Sequence, residues 1–287
     1  ANILDYLEWR GDIGLSEDPF NAVDNLVLSW MAYVNLDEIM PNGIYNQAIT
    51  IEEAIKRFFA KYNLEEKLKE ASLTRTSALL FARLADCPRF GQMKIINYVN
   101  HISEELQKQF SAMTIEIDED TRYIAFRGTD DTIVGWREDF NMGLMANVPS
   151  QLEAVEYVEQ TALEGNHRLI LGGHSKGGNL AVYAAFRCDK TIRDRIIQVY
   201  NNDGPGFQKE ILDSPEYQAM LPRIRTIVPE SSIVGMLLGH EEEYGQDAHL
   251  ESEKSEIVEK TPFWIACNLS PSRTSGDNMW HGKELPS

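Results

Sequence analysis

The sequence predicts an α/β protein with a mostly parallel central sheet and an N-terminal helical layer. Three features carry this expectation. From about residue 110 onward, short apolar runs alternate with segments of helical spacing, the order of a largely parallel sheet. Before residue 100 the apolar residues recur mainly at helical intervals. In the middle of the α/β half, Leu169-Ile170-Leu171-Gly172-Gly173-His174-Ser175-Lys176-Gly177-Gly178-Asn179-Leu180-Ala181-Val182-Tyr183 passes from an apolar strand through a tight turn into an apolar-periodic helix.

Taken in order, residues 1–20 read as a short helix and a loop. The Arg10-Gly11-Asp12 tripeptide in them is taken as chance. Val23, Leu26, Val27, Trp30, Met31 and Val34 have helical spacing and read as core. Thr50-Ile51-Glu52-Glu53 is a capping box that opens a helix through Tyr62, with Ile51, Ile55, Phe58 and Phe59 on one face. A charged stretch around Glu65–Glu70 precedes a helix over Thr76–Ala85. Residues 1–100 are therefore expected to form a mostly helical layer or partial cap on the 101–287 domain.

Met113–Ile117 and Arg122–Phe126 read as strands around the acidic turn Asp118-Glu119-Asp120. Gln151–Leu163 is a helix, Arg168–Gly172 a buried strand and Asn179–Arg187 the next helix. Ile196–Tyr200 is a strand that ends in Asn201-Asn202-Asp203-Gly204-Pro205-Gly206. Ile224–Val228 is another, ending at Pro229-Glu230-Ser231-Ser232. In such a sheet, function gathers at the C-terminal ends of the strands.

Composition narrows the partners. A formal net charge of −18 over 287 residues argues against nucleic acid and against attraction to anionic membranes. The three cysteines, Cys87, Cys188 and Cys267, form no C-x-x-C pair, so neither a disulfide framework nor a zinc site is implied. The first residues show no signal-peptide pattern, and no stretch approaches the ~18 apolar residues of a membrane span. The expectation is a cytoplasmic protein without stable membrane insertion.

Gly173-His174-Ser175-Lys176-Gly177 fits the G-x-S-x-G elbow, in which a strained turn lifts a serine hydroxyl above the sheet. The alternative is a glycine-rich turn whose serine only caps a helix. A second signal joins it in Arg127-Gly128-Thr129, followed by Trp136 and Asp139. Together these residues resemble the class 3 (fungal-type) lipases of the α/β-hydrolase fold over roughly residues 110–232. A closer likeness is to a bacterial branch of that group that carries the elbow together with Asn-Asp-Gly-Pro-Gly-Phe. The resemblance implies that Thr129 and the backbone N–H of Lys176 donate to an oxyanion. Trp136 and Asp139 are expected on a following helix, with Asp139 tying the loop to the domain.

A serine nucleophile needs a base, and the base needs an orienting carboxylate. In this fold the chain order is Ser, Asp or Glu, then His. His101 and His167 precede Ser175, and His174 adjoins it, reading as a packed elbow residue. His240, His249 and His281 remain. The resemblance points to His240 in His240-Glu241-Glu242-Glu243-Tyr244 as base. The bacterial relatives carry a histidine before a Pro-Phe-x-Trp-like strand, where this chain has Glu259-Lys260-Thr261 before Pro262-Phe263-Trp264. For the acid, Asp203 and Glu230 compete, with Asp203 preferred. The leading expectation is a serine esterase or lipase-like hydrolase that cleaves a small ester or lipid-like substrate through an acyl-enzyme without metal or cofactor. The alternatives are a catalytically impaired hydrolase kept as a binding module, and a thioesterase or acyltransferase.

Overall fold

The structure, a computed structural model, describes residues 2–44, 47–69, 72–103, 108–129, 148–228 and 244–245. The described residues form an eight-stranded sheet in which the strands follow one another in chain order. They are β1 (Ile49–Thr50), β2 (Lys94–Ser103), β3 (Lys108–Glu116), β4 (Thr121–Phe126), β5 (Arg168–His174), β6 (Ile196–Asn202), β7 (Ile224–Ile227) and β8 (Tyr244–Gly245). β1 to β4 pair antiparallel, and β4 to β8 pair parallel. The fold is that of an α/β-hydrolase: a mixed sheet with a parallel half and a serine turn at its centre.

The helices before the parallel half are α1 (Ile3–Arg10), α2 (Ala22–Met31), α3 (Ile51–Lys61), α4 (Leu64–Lys67), α5 (Ser72–Leu84) and α6 (Pro88–Gly91). Later come α7 (Pro149–Ala162), α8 (Lys176–Arg187), α9 (Lys190–Arg193), α10 (Lys209–Leu212) and α11 (Pro215–Met220). Side chains of successive strand residues point to opposite faces, so each strand feeds two cores. Met113, Ile115, Tyr123, Ala125, Ile170 and Tyr200 join a cluster with Val27, Trp30, Ile55, Phe58 and Phe81 of the N-terminal helices. Ala112, Ile124, Phe126, Leu169, Leu171 and Val199 join the opposite cluster with Val158 of α7 and the buried face of α8.

The N-terminal hundred residues are less uniformly helical than their spacing predicts, because they contribute β1 and most of β2. β2 hides its alternation for a physical reason. The register slips between Ile96 and Val99, and Asn97 there has φ 52°. One extra residue in the strand breaks the period of two. The boundary expected between residues 100 and 101 falls inside this strand. At the start of α3, Thr50 Oγ1 accepts the Glu53 N–H at 3.1 Å, but the Glu53 carboxylate pairs with Arg57 at 2.7 Å. The reciprocal boxes form at α1 and α2, where Asn2 with Asp5 and Asn21 with Asp24 satisfy each other's backbone N–H groups.

Asp24 has a second task. Arg89 of α6 donates from Nε and Nη2 to the two Asp24 carboxylate oxygens at 2.7 and 2.6 Å, and both side chains are fully buried. Tyr6 donates to the same carboxylate at 2.9 Å, while Arg89 Nη1 donates to the Ile13 and Asp18 carbonyls. The Arg89 backbone N–H donates to the Gly11 carbonyl, so the Arg10-Gly11-Asp12 tripeptide is part of a helix end held by α6. No helix among the described residues is long and apolar enough to cross a membrane.

Removing one partner of a buried ion pair leaves the other charge without its counter-ion. Arg89→Met is therefore expected to lower unfolding stability by about 3–5 kcal/mol, read from urea denaturation. A loss below about 1 kcal/mol, the range of an exposed pair, would show that the clamp is dispensable.

Candidate active site

β5 ends at His174, α8 begins at Lys176, and Ser175 forms the entire turn between them, with φ 55° and ψ −128°. A residue with a Cβ is strained there, at a cost of order 1–3 kcal/mol, and must be held by its surroundings. Two glycines make the turn possible through close approach. A Cβ on Gly173 would overlap the Gly177 carbonyl and lie 2.6 Å from the Phe126 carbonyl oxygen, and a Cβ on Gly177 would overlap Phe126 O. The start of α8 thus rests directly on the end of β4. The helix end behind the serine carries partial positive charge, suited to an anion.

The Arg127-Gly128-Thr129 segment leaves β4 beside this turn. Arg127 N–H donates to the Ser111 carbonyl at 2.9 Å and extends the β3–β4 ladder by one step. Gly128 packs so tightly that a Cβ would overlap the His174 carbonyl oxygen and the Tyr33 hydroxyl. Thr129 is buried next to that contact. Lys176 is also buried, its Nζ donating to the Gln109 carbonyl at 2.8 Å. The side chain of the residue after the serine therefore runs back toward β3, while its backbone opens the helix.

The end of β6 borders the turn on the other side. Ser175 N–H donates to the Asn202 carbonyl at 2.9 Å, and Asp203 N–H donates to Ile227 O at 2.8 Å. Asp203 has φ 57° and is half-buried. Asn201 Oδ1 accepts the Gly204 N–H at 2.9 Å, which closes a turn around Asp203. Asn179, in the first turn of α8, donates to the Pro205 carbonyl at 2.9 Å and accepts from Gln151 Nε2 at 2.8 Å. Ser175, Lys176, Gly128-Thr129 and Asp203 are thus brought to one end of the parallel strands.

The other expected participants, Glu230, His240, Trp136 and Asp139, lie outside the described residues, as do His249 and His281. Of the described histidines, His101 sits on β2 and pairs with Glu153 at 2.6 Å. His167 precedes β5, at the opposite end of that strand from Ser175. His174 is buried toward the N-terminal layer, its ring 4.9 Å from that of Trp30 and its Nδ1 2.9 Å from the Tyr33 hydroxyl. Among the described residues, no group of three or more His, Cys, Asp or Glu is placed to hold a metal.

Several supporting residues escape a reading of the sequence. Asn202 donates to Asn25 Oδ1 at 3.2 Å and to Ser29 Oγ at 2.9 Å, and Asn25 Nδ2 donates to Asn202 Oδ1 at 2.8 Å. The Tyr123 hydroxyl joins this buried cluster at 2.8 Å from both Asn25 Oδ1 and Ser29 Oγ. The signal available in the sequence was Asn25 and Ser29, four residues apart in a helix whose only other polar residue is Asp24. That spacing places two polar groups together on one face.

Burial disfavours the charged imidazole and pushes His174 down to about 4. The unfolded chain holds that proton up to about pH 6.5, so between 6.5 and 4 it binds more protons than the folded one. This contribution is complete above pH 6.5 and is lost as pH falls toward 4, by up to about 1.4 kcal/mol per unit. His174→Asn lacks the titrating group. Relative to that variant, the wild type should lose about 2 kcal/mol between pH 7 and pH 5 in urea unfolding. Parallel pH profiles for the two proteins would contradict a neutral, buried His174.

The crystal structure of M37 lipase aligns with a TM-score of 0.42 and 15% identity, covering 71% of this chain and 65% of that one, just under two thirds of its length. A fungal lipase–inhibitor complex, described as a model for interfacial activation, aligns with a TM-score of 0.37 and 18% identity, covering 66% and 75%. No curated protein matches the sequence. A family model described as Mbeg1-like matches residues 84–268, which include β2 to β8, the serine turn and the Asp203 loop. With more than half of its length matched, the chain belongs to the Mbeg1-like family.

Proposed function

We propose that the protein is a serine hydrolase, esterase or lipase-like, that cleaves a carboxylic ester of a small-molecule or lipid-like substrate. The observation that carries this reading is Ser175 itself, held at φ 55° and ψ −128° between a parallel strand and a helix N-terminus. Backbone strain of this kind persists where the surroundings over-determine it, and such sites are enriched in function.

In the proposed reaction Ser175 Oγ attacks the ester carbonyl carbon while His240 takes the hydroxyl proton. The carbonyl oxygen becomes an oxyanion facing the backbone N–H groups of Thr129 and Lys176. Collapse expels the alkoxide, which leaves as the alcohol with the proton from His240, and an acyl-enzyme remains. Water, deprotonated by the same histidine, then releases the acid. Asp203, in the loop that borders Ser175, orients the base; Glu230 is the competing carboxylate. This chemistry needs no cofactor. The burial of Lys176, Arg127 and Thr129 favours such a site, because donors excluded from water stabilise a developing charge more strongly.

Labelling with a fluorophosphonate and mapping of the modified peptide tests the assignment. Ser175 is the expected adduct site, and Ser175→Ala should abolish labelling and lower p-nitrophenyl ester turnover by about 10⁴-fold or more. Asp203→Asn should lower kcat by up to about 10⁴-fold, whereas Glu230→Gln should leave it within a few-fold. The reverse pattern would move the acid to Glu230. Equal turnover in wild type and Ser175→Ala would reject the hydrolase and leave a binding protein on a hydrolase scaffold.

A further inference from the structure

The two oxyanion donors proposed above belong to different elements. Thr129 follows β4, and Lys176 opens α8. For both N–H groups to meet one oxygen at 2.7–3.1 Å, the two segments must keep a fixed separation. A displacement of about 1 Å in such a site costs about 10²-fold in rate. A side-chain atom of the N-terminal layer touches both segments.

That atom is the hydroxyl oxygen of Tyr33, just beyond the C-terminal end of α2. It lies 2.9 Å from His174 Nδ1 and 3.4 Å from the His174 carbonyl oxygen. It also occupies the space that a Cβ on Gly128 would need, so it packs against the Gly128 backbone. The Tyr33 ring is stacked on Trp30, with centroids 4.9 Å apart and planes at 21°, and Trp30 lies at the same distance from the His174 ring. Trp30, Tyr33 and His174 thus form a buried stack whose polar tip sits between the Gly128 backbone and the last residue of β5.

We propose that Tyr33 is a positioning residue, its hydroxyl setting the gap between the Gly128-Thr129 backbone and the His174–Lys176 backbone. The proposal rests on Ser175 being a nucleophile. It assigns the N-terminal layer a part in the site through Tyr33. Tyr33 acts through backbone and through His174, whose ring is turned into the N-terminal layer.

Tyr33→Phe keeps the ring and its stacking and removes only the hydroxyl, so it is the informative variant. Two readouts on the full chain separate the proposal from the hydrolase reading. The first is amide hydrogen exchange, which needs no activity. Peptides covering residues 126–129 and 174–177 should exchange at least about tenfold faster in Tyr33→Phe, with Met113–Glu116 and Leu180–Phe186 unchanged. The second readout is p-nitrophenyl ester hydrolysis, in which kcat should fall about tenfold to a hundredfold with KM within twofold of wild type. Exchange that stays at wild-type rates, or that rises equally in every peptide, would overturn the positioning role, as would an unchanged kcat in an active enzyme. A wild-type protein that is not labelled at Ser175 by fluorophosphonate would reject the hydrolase instead, and the exchange data would still decide what Tyr33 does.

Discussion

Three stretches of backbone meet at the end of the parallel strands with no room for a Cβ between them. The carbonyl of Phe126 fills the space beside both Gly173 and Gly177, and the Gly177 carbonyl fills the space beside Gly173. Everything at the site is arranged around that contact. If α8 stood further from β4, the turn at Ser175 could relax into ordinary dihedrals, and the segment after Phe126 would no longer lie beside His174. Close approach here is also energetically exposed. An added methyl group would meet backbone, which cannot rotate away, so overpacking would cost at least the 1–3 kcal/mol typical of a filled core.

Buried polar contacts occur on both faces of the sheet, but at the parallel strands the two faces differ. On the α7–α8 side the contacts at the parallel strands are chiefly apolar, with Phe126, Leu169, Leu171 and Val199 against Leu180, Ala184 and Phe186. On the N-terminal side the apolar cluster is interrupted by buried polar contacts, among them Asp24 with Arg89, Asn25 with Ser29, Tyr123 and Asn202, and Tyr33 with His174. Dispersion alone tolerates sliding between layers, whereas a buried hydrogen bond has one geometry and is costly to leave unmade. The polar contacts therefore fix α2 in rotation and height against the strand ends. Tyr33 and Trp30 inherit their positions from that fixation.

The elbow and the parallel half could be read from the sequence because their signals are local. Gly173-His174-Ser175-Lys176-Gly177 sits between an apolar run and an apolar-periodic helix, and each strand near it is short and bounded by turn residues. β2 could not be read, since its bulge at Asn97 disrupts the alternation that marks a strand. The Asn25–Asn202 and Tyr33–His174 contacts were equally hidden, with partners separated by 177 and 141 positions. Such pairs become neighbours only after the N-terminal layer docks, and no spacing rule connects them. The Asp203 loop lies between these cases. Its turn residues are evident, but the bond from Asn201 to Gly204 and the hold of Asn179 on Pro205 depend on where α8 packs.

Strain distinguishes Ser175 from the other residues in unusual backbone conformations. Among described non-glycine residues, φ is positive at Asn97, Ser175 and Asp203. Asn and Asp visit this region at modest cost, since their short polar side chains bond locally. Asn97 does so at a strand bulge, and Asp203 in a turn closed by Asn201. Serine has no such excuse, and its ψ of −128° lies far from the left-handed helical well. The cost is offset by bonds on either side of it: Ser175 N–H to Asn202 O at 2.9 Å, and Gly178 N–H to Ser175 O at 2.9 Å. Both partners are anchored in turn, Asn202 by Asn25 and Ser29, and Gly178 by the close packing of α8 on β6. A turn that merely connected β5 to α8 would gain from relaxing. That it is instead held strained from both sides, with the hydroxyl-bearing residue at its apex, is the physical ground for the proposal that Ser175 is the reacting group.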